Sequence, residues 1–339
     1  MKIIGVHVHD SYQGEFCKIP GIEMYHLINK DKKQKLWGGG ARPKPDNLFG
    51  VPYENLEDIN WSNYDLMITQ SLEQYEQFRH LPINKIVIEH TLSFPLYQGA
   101  PHQWMLENDP SIKKIVFLSE EQAYSWRIKN PFEVEVIPSC IDVSLYPEWE
   151  GGEKQIFTAV NELPNRDWCC GAEIFKQTTQ GLPRILAGEG NENIGKNPLL
   201  SKYADSKIKD LNERCGGAVG FKTHDQIREY FLKSALYLNT NKYSTLPFAL
   251  MEAMAYGMPI VSTDRNTASV YLNGISTPTK KQTGILSNIL PVLRSKTIEV
   301  LDNAEEFREM GKAAREAAKE YFNPERFIAQ WQGVLEEVI

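Results

Sequence analysis

The sequence lacks a membrane-spanning run and an excess of basic residues. No apolar stretch approaches the roughly 20 residues that a transmembrane helix needs. The first nine residues read as a short strand without the apolar core of a signal peptide. The net charge is -7, which disfavours a basic surface that binds the phosphate backbone of nucleic acids. We therefore expect a cytoplasmic protein, with a nucleic-acid partner unfavoured but not excluded.

Cysteine is also scarce, and its spacing is not that of a metal site. The chain has five cysteines, an odd number, and the adjacent pair Cys169 and Cys170 cannot supply a tetrahedral site alone. No His or Cys cluster lies nearby in the sequence to complete one. The sequence predicts reduced, mostly buried thiols and no metal.

The rest of the composition is typical of a folded protein with two domains. The 339 residues are 42% hydrophobic and 24% charged, and domains usually run to roughly 100–200 residues. Short apolar runs alternate with helical stretches in both halves, which indicates parallel strands joined by crossovers and hence an α/β fold. The predicted strands are 2–7, 64–69, 85–89, 114–118, 134–137, 155–160, 184–187, 218–221, 235–238 and 259–262.

The predicted helices lie mainly in the second half. They cover 171–178, 201–214, 224–233, 247–256, 305–320 and 325–338. The segment 138–153, which is rich in proline and glycine, interrupts the strand and helix pattern. We expect an N-terminal domain over 1–146 and a C-terminal domain over 147–324.

The helix after Pro247 carries the clearest candidate site. Pro247 suits a first helical turn, and Gly257 suits the position just past the end. Glu252 is the one charged residue of this helix and leans towards its N-terminus, where open α/β sheets bind ligands. The first amides, of Phe248 and Ala249, suit a diphosphate, and a carboxylate can accept hydrogen bonds from ribose hydroxyls. The pattern predicts a nucleotide site, and the alternative is a glutamate on a solvent-facing helix surface.

The segment from Ser244 to Asp264 resembles the donor-site signature of the retaining glycosyltransferases of family 4, the glycosyl transferases group 1. That signature has two glutamates eight residues apart, and the second corresponds to Glu252. Ala-Met-Ala, a glycine and a proline follow Glu252 as in the family, and Leu246-Pro247 is similar to its Phe-Pro. Other segments match in the family's order and are 88–91, 117–123, 136–142, 185–190 and 321–327.

The resemblance implies a fold and an activity. The fold would be GT-B, with two facing Rossmann-like domains and a C-terminal helix, 325–339, that crosses back to the N-terminal acceptor domain. The activity would be retaining, metal-independent transfer of a hexose or N-acetylhexosamine from a nucleotide-diphosphate sugar. The expected nucleotide of this donor is UDP. The acceptor would be a hydroxyl on a glycan, a lipid-linked saccharide or a small molecule. No cofactor is implied beyond this co-substrate.

The resemblance also implies site residues, with some departures. His90 would lie near the transferred sugar and Gly188 in the glycine turn of the donor domain, while Ser244 replaces the family's first glutamate. The family's arginine and lysine that neutralise the diphosphate correspond to Asn161 and Asp167. We expect Arg166 to take over that charge, with Arg265 and Lys242 as further candidates. Residues after the first strand are expected to contact the acceptor, namely Tyr12, Gln13 and Gly14.

Two other functions stay open. Because the expected clamp is altered, the chain could be a catalytically degenerate nucleotide-sugar-binding protein. Viral glycosyltransferases that modify DNA bases also use two facing Rossmann-like domains, although their duplex binding should need a basic face.

Overall fold

A computed structural model describes residues 1–31, 34–38, 42–92, 106–128, 134–191, 218–220, 223–272 and 281–338. The chain divides into two compact units, and the first consists of Met1–Cys140 with Asn323–Ile339. The second is Ile141–Phe322. The division falls at Cys140, ahead of the expected boundary after Tyr146, because Ile141, Val143 and Tyr146 pack into the core of the second unit.

The first unit is built on a parallel sheet. Its strand order is β3-β2-β1-β4-β5-β6-β7, and every described neighbour pair is parallel. The strands are β1 (Lys2–Gly5), β2 (Glu23–Ile28), β3 (Leu48–Pro52), β4 (Leu66–Thr69), β5 (Lys85–Glu89), β6 (Ile112–Phe117) and β7 (Val134–Val136). The helices of this unit are α1 (Asp10–Phe16), α2 (Leu72–Phe78), α3 (Glu120–Trp126) and α11 (Pro324–Val338).

The second unit repeats this architecture with strand order β10-β9-β8-β11-β12-β13. All described pairs are again parallel. The strands are β8 (Glu153–Ala159), β9 (Arg184–Ala187), β10 (Ala218–Gly220), β11 (Ser234–Asn239), β12 (Ile260–Ser262) and β13 (Ile285–Leu286). The helices are α4 (Asp167–Cys170), α5 (Ala172–Thr179), α6 (His224–Lys233), α7 (Phe248–Tyr256), α8 (Thr267–Leu272), α9 (Leu290–Asp302) and α10 (Arg308–Tyr321).

Both faces of each sheet are covered, as expected for parallel strands. In β8 the adjacent residues Ile156 and Phe157 are fully buried but belong to different hydrophobic clusters, because successive side chains of a strand face opposite sides. The first unit likewise has separate clusters around Ile4 and around Ile115. Helix α11 completes the first unit: its Trp331 ring lies 5.0 Å from the Phe16 ring.

The structure confirms the α/β class and every predicted strand, apart from Phe221, which lies outside the described residues. The predicted helix 201–214 also lies outside them. The strands β2, β3 and β13 were not predicted, and neither were the helices α1, α2, α4, α8 and α9. No helix among the described residues has the length and apolar character needed to cross a bilayer.

Candidate functional site

The candidate site of the second unit lies where the strand order changes direction. In the sheet, β8 is flanked by β9 on one side and by β11 on the other. The connections that leave the carboxyl ends of β8 and β11 therefore diverge and open a crevice, the position where open α/β sheets bind ligands. The segment after β8 leads into α4, and the segment after β11 leads into α7.

The N-terminus of α7 offers unpaired amide donors at this edge. The amides of Leu250 and Met251 donate to the Pro247 carbonyl oxygen at 3.0 and 3.2 Å. No described residue accepts a hydrogen bond from the amides of Phe248 or Ala249. Orphan amides at the positive end of a helix dipole suit an anionic group. Pro247 fixes the entry into this turn and has no amide proton of its own.

Glu252 is one turn further along α7 and is buried. It is 8% exposed, so it does not lie on a solvent-facing helix surface. Its Oε1 is 3.4 Å from the Tyr146 hydroxyl and 3.7 Å from His224 Nδ1. A buried carboxylate with polar neighbours and limited access can accept hydrogen bonds from a ligand's hydroxyl groups.

Tyr146 and His224 were missed from the sequence. Tyr146 lies in the segment that was assigned to the domain boundary, so its contact with α7 had no local signal. His224 is the first residue of α6, just beyond the carboxyl end of β10. The rule that open α/β sheets bind ligands at the carboxyl ends of their strands could have identified it. A capping box between Thr223 and Gln226 fixes the start of α6, and this places the imidazole beside Glu252.

A lysine and an aspartate meet across the crevice. Lys242, which follows β11, places its Nζ 3.1 Å from Asp167 Oδ2 at the start of α4. Partial burial raises the pKa of Asp167, but the Glu173 and Ala172 amides at the start of α5, together with the Lys242 pairing, outweigh it and lower the pKa. Arg166, just before Asp167, is exposed, and its guanidinium hydrogen-bonds the Cys169 thiol.

The segment that carries Lys242 is fixed to the end of α4. The amides of Lys242 and Tyr243 donate to the Cys169 carbonyl oxygen at 2.7 and 3.1 Å. The Thr240 hydroxyl donates to the Cys170 carbonyl oxygen at 2.8 Å. The two segments that border the crevice are therefore held in register, which is the preorganisation that charge stabilisation requires.

The other predicted residues of the second unit lie at strand ends of the same sheet. Gly188 follows β9 with a φ of +133°, and a Cβ there would overlap the Val160 carbonyl oxygen, so only glycine fits. Ser244 is partly buried between β11 and α7, and Arg265 is exposed after β12. The structure thus gathers the candidate donor residues at the carboxyl edge of one sheet.

The remaining predicted residues belong to the first unit. His90 follows β5, and its ring lies 4.9 Å from the Tyr12 ring and 5.3 Å from the His9 ring. Burial, with the His9 charge as a smaller cause, lowers the pKa of His90 to about 3. His90 is therefore a neutral imidazole at pH 7.

The residues expected to contact the acceptor are mostly buried. Tyr12 and Gln13 are each 1% exposed, and Gln13 Oε1 accepts a hydrogen bond from Gln70 Nε2 at 2.7 Å. Their side chains support the interior of the first unit and have no open face for a ligand. Gly14 is partly exposed on α1, and a Cβ there would meet Trp37 at 3.8 Å.

Comparisons with known proteins agree with this geometry. Residues 173–295, which include Gly188, Ser244, Glu252 and Arg265, match the family of glycosyl transferases group 1. No curated protein sequence is significantly similar to the chain. Among solved structures, a sucrose-phosphate synthase from Thermosynechococcus elongatus matches with a TM-score of 0.69 at 15% identity, covering 99% of this chain and 98% of the other.

Two more solved structures show the same fold. The Anabaena protein HepE in complex with UDP-glucose matches with a TM-score of 0.70 at 12% identity, covering 99% of each chain. WaaG, a glycosyltransferase involved in lipopolysaccharide biosynthesis, matches with a TM-score of 0.65 at 12% identity, covering 97% of this chain and 98% of the other. The protein is a glycosyltransferase of the GT-B fold.

Proposed function

We propose that the protein transfers a hexose or N-acetylhexosamine from a UDP-sugar to a hydroxyl acceptor on a glycan, a lipid-linked saccharide or a small molecule, with release of UDP, with retention of the anomeric configuration and without a metal. The observation that carries this proposal is the buried Glu252 beside the free amides of α7 at the crevice. Solved GT-B structures with UDP, with UDP-glucose, and with UDP and α-GlcNAc-glycerol support the choice of donor.

Each part of the donor has a matching group in the second unit. The Phe248 and Ala249 amides bind the diphosphate, and Glu252 accepts hydrogen bonds from the ribose hydroxyls. Ser244 offers a hydroxyl to the sugar, and Gly188 lets the backbone approach closely. His90 of the first unit, held neutral, is the proposed polar contact to the transferred sugar.

Charge that develops on the leaving diphosphate must be met by fixed donors. Arg166 has an exposed guanidinium that can form a bidentate contact with phosphate oxygens, and Lys242 and Arg265 lie at neighbouring strand ends. These cations and the α7 amides replace the charge of a metal ion in the proposed mechanism. As the group 1 resemblance implies, the acceptor attacks from the face that the diphosphate leaves, and the leaving phosphate takes the acceptor proton.

A cytoplasmic location completes the proposal, since the cysteines among the described residues are free thiols, as is usual in reducing compartments.

A panel of nucleotide sugars tests the proposed function. We expect release of the nucleoside diphosphate from a UDP-sugar, slowly with water and faster with an acceptor, both undiminished by a chelator. Proton NMR of the product should show the anomeric configuration of the donor. Absence of both binding and turnover for every donor would contradict the proposal. Calorimetric binding without any turnover would identify a degenerate binder.

Replacement of Glu252 tests the nucleotide site itself. A hydrogen bond to a charged group is worth about 1.5–3 kcal/mol, so we expect Glu252→Gln to raise the Kd for UDP by about tenfold to a hundredfold. Calorimetry with UDP measures this. Glu229→Gln, at an exposed position of α6 in the same unit, should leave the Kd unchanged. Equal affinities for wild type and Glu252→Gln would show that UDP does not contact Glu252.

A further inference from the structure

A histidine, an aspartate and a tryptophan form a cluster at the carboxyl edge of the first sheet. His7 lies just beyond β1, and its Nε2 is 2.6 Å from Asp10 Oδ1 at the start of α1. The Trp37 ring lies 5.5 Å from the His7 ring in an edge-to-face arrangement. In the sheet, β1 lies between β2 and β4. The strand order changes direction at β1, and the cluster lies at the carboxyl end of this strand.

Backbone contacts hold Asp10 and Trp37 in place, and Asp10 in turn holds His7. The same Asp10 oxygen accepts the Gly38 amide at 3.0 Å, and Trp37 Nε1 donates to the Arg42 carbonyl oxygen at 2.8 Å. His26 on β2 is 2.8 Å, through Nδ1, from the Leu36 carbonyl oxygen. The tryptophan is therefore anchored on both sides, and little rotamer freedom is left to lose when a ligand binds.

The hydrogen-bond pattern determines which nitrogen of His7 is available. A carboxylate only accepts hydrogen bonds, so His7 Nε2 carries a hydrogen and donates the hydrogen bond to Asp10 Oδ1. In the neutral ring Nδ1 then has a lone pair and accepts hydrogen bonds. No described residue hydrogen-bonds His7 Nδ1, and the side chain keeps 11% of its surface exposed.

The surroundings favour an uncharged ligand over an anionic one. His26 is fully buried behind His7, and this burial lowers the pKa of His26 to about 4, so it contributes no positive charge at pH 7. Asp10 places a negative charge in the cluster. The described residues contain no group of His, Cys, Asp and Glu side chains that could hold a metal ion.

We propose that His7, Asp10 and Trp37 form a binding site for a neutral carbohydrate, in which His7 Nδ1 accepts a hydrogen bond from a sugar hydroxyl and the Trp37 ring packs against the C–H face of the sugar. Asp10 is a positioning residue that fixes the ring and tautomer of His7. Apolar lining with a few placed polar groups is the usual composition of small-ligand sites. The site deepens the proposed function, on which it rests, by naming the residues that bind the acceptor.

Direct binding of neutral sugars tests the site without requiring turnover. Methyl glucosides and methyl N-acetylglucosaminides, added to the full chain with saturating UDP, should show saturation-transfer NMR signals. Trp37→Ala and His7→Gln should each weaken that binding by about tenfold or more, and Trp37→Phe by less. Phe49→Ala and His80→Gln change an exposed aromatic residue and an exposed histidine of the same unit and should change nothing.

Turnover supplies a second readout. With a saturating donor, Trp37→Ala, His7→Gln and Asp10→Asn should raise the KM for the acceptor sugar, while kcat stays near the wild-type value. The Kd for UDP should stay within about twofold of wild type, because the proposed nucleotide site lies in the second unit.

The outcomes separate this site from the proposed function. Sugar binding that survives Trp37→Ala and His7→Gln would overturn the site while leaving the donor chemistry intact. A parallel loss of UDP affinity in these variants would also overturn it, since the change would then not be specific to the acceptor. Wild-type protein that binds the glycosides through these residues but neither binds nor uses any nucleotide sugar would support the site and remove the proposed transfer reaction.

Discussion

At the residue scale, a positive charge that the resembled family carries after β8 is supplied here by a residue after β11. Asp167 stands where the resembled family has a lysine, but it holds Lys242 Nζ at 3.1 Å. The ammonium therefore comes from the segment after β11, not from the segment after β8. Since backbone hydrogen bonds hold both segments together, Lys242 is a fixed cation at the crevice.

Replacing Lys242 should weaken binding of the diphosphate in particular. We expect Lys242→Met to raise the Kd for UDP by about tenfold and to leave the Kd for uridine unchanged, because a cation paired with a phosphate is worth on the order of 1–2 kcal/mol. Calorimetry with both ligands measures the difference.

Two further variants define the role of Lys242. Asp167→Asn should keep or improve the affinity for UDP, since it frees the ammonium from its carboxylate. Lys233→Met, in an exposed ion pair on α6, is the matched control. An equal loss of UDP and uridine affinity in Lys242→Met would mean that the lysine supports the fold and does not contact the phosphates.

The sequence predicts those residues of the candidate site whose placement depends on local rules. Glu252, Phe248 and Ala249 follow from helix geometry and the positions of Pro247 and Gly257. The partners of Glu252, which are Tyr146 and His224, come from distant parts of the chain. No periodicity or spacing reports such contacts. Tyr12 and Gln13 were expected to contact the acceptor, but both are buried, because burial depends on tertiary packing that the sequence pattern does not report.

At the element scale, the strands that were predicted are those with continuous apolar runs. The strand β2 contains Glu23 and His26, and β3 contains Gly50 and Pro52, so neither reads as a buried strand. The strand β13 has only two residues. Pairing with neighbouring strands stabilises β2, β3 and β13. The sequence pattern of a single segment does not reveal this pairing.

Two glycines allow α7 and α10 to pack closely against each other. Gly257 ends α7 in the left-handed conformation with a φ of +73°. A Cβ at Gly311, on α10, would overlap the Gly257 carbonyl oxygen. Arg315, one turn further on, donates to the Ala255 carbonyl oxygen. The close crossing of these helices fixes the helix that carries Glu252.

A methyl group at Gly311 should therefore destabilise the second unit. Overpacking usually costs about 1–3 kcal/mol, so we expect Gly311→Ala to lower the free energy of unfolding by that amount. Denaturant unfolding measures it, and UDP binding should weaken as α7 shifts.

Gly333→Ala provides the matched control within a helix. Gly333 lies on α11 with no atom within 4 Å of an added Cβ, and alanine there should stabilise by about 0.5–1 kcal/mol through helix propensity. If Gly311→Ala also stabilised the protein, the close crossing of α7 and α10 would not be a constraint.

At the scale of the whole molecule, each unit has hydrophobic clusters of its own. A ligand held by the second unit should then protect that unit selectively. At 100 times its Kd, UDP adds about 2.7 kcal/mol of stability.

Hydrogen exchange can resolve this selectivity. Amides of β11 and β12 that exchange only when the unit unfolds should slow by about a hundredfold with UDP, and those of β5 and β6 should not change. Equal slowing in both units would show that they unfold together. Comparable slowing should not occur with uridine at the same concentration if the diphosphate supplies most of the affinity.

The return of α11 to the first unit has a consequence for biosynthesis. Ribosomes deliver the chain from its N-terminus, and N-terminal domains generally fold first. Here the second unit, Ile141–Phe322, is contiguous, whereas the first needs Asn323–Ile339. The later-encoded unit is thus complete first, and the nascent first unit waits on the order of ten seconds or more for the helix that covers Phe16 with Trp331.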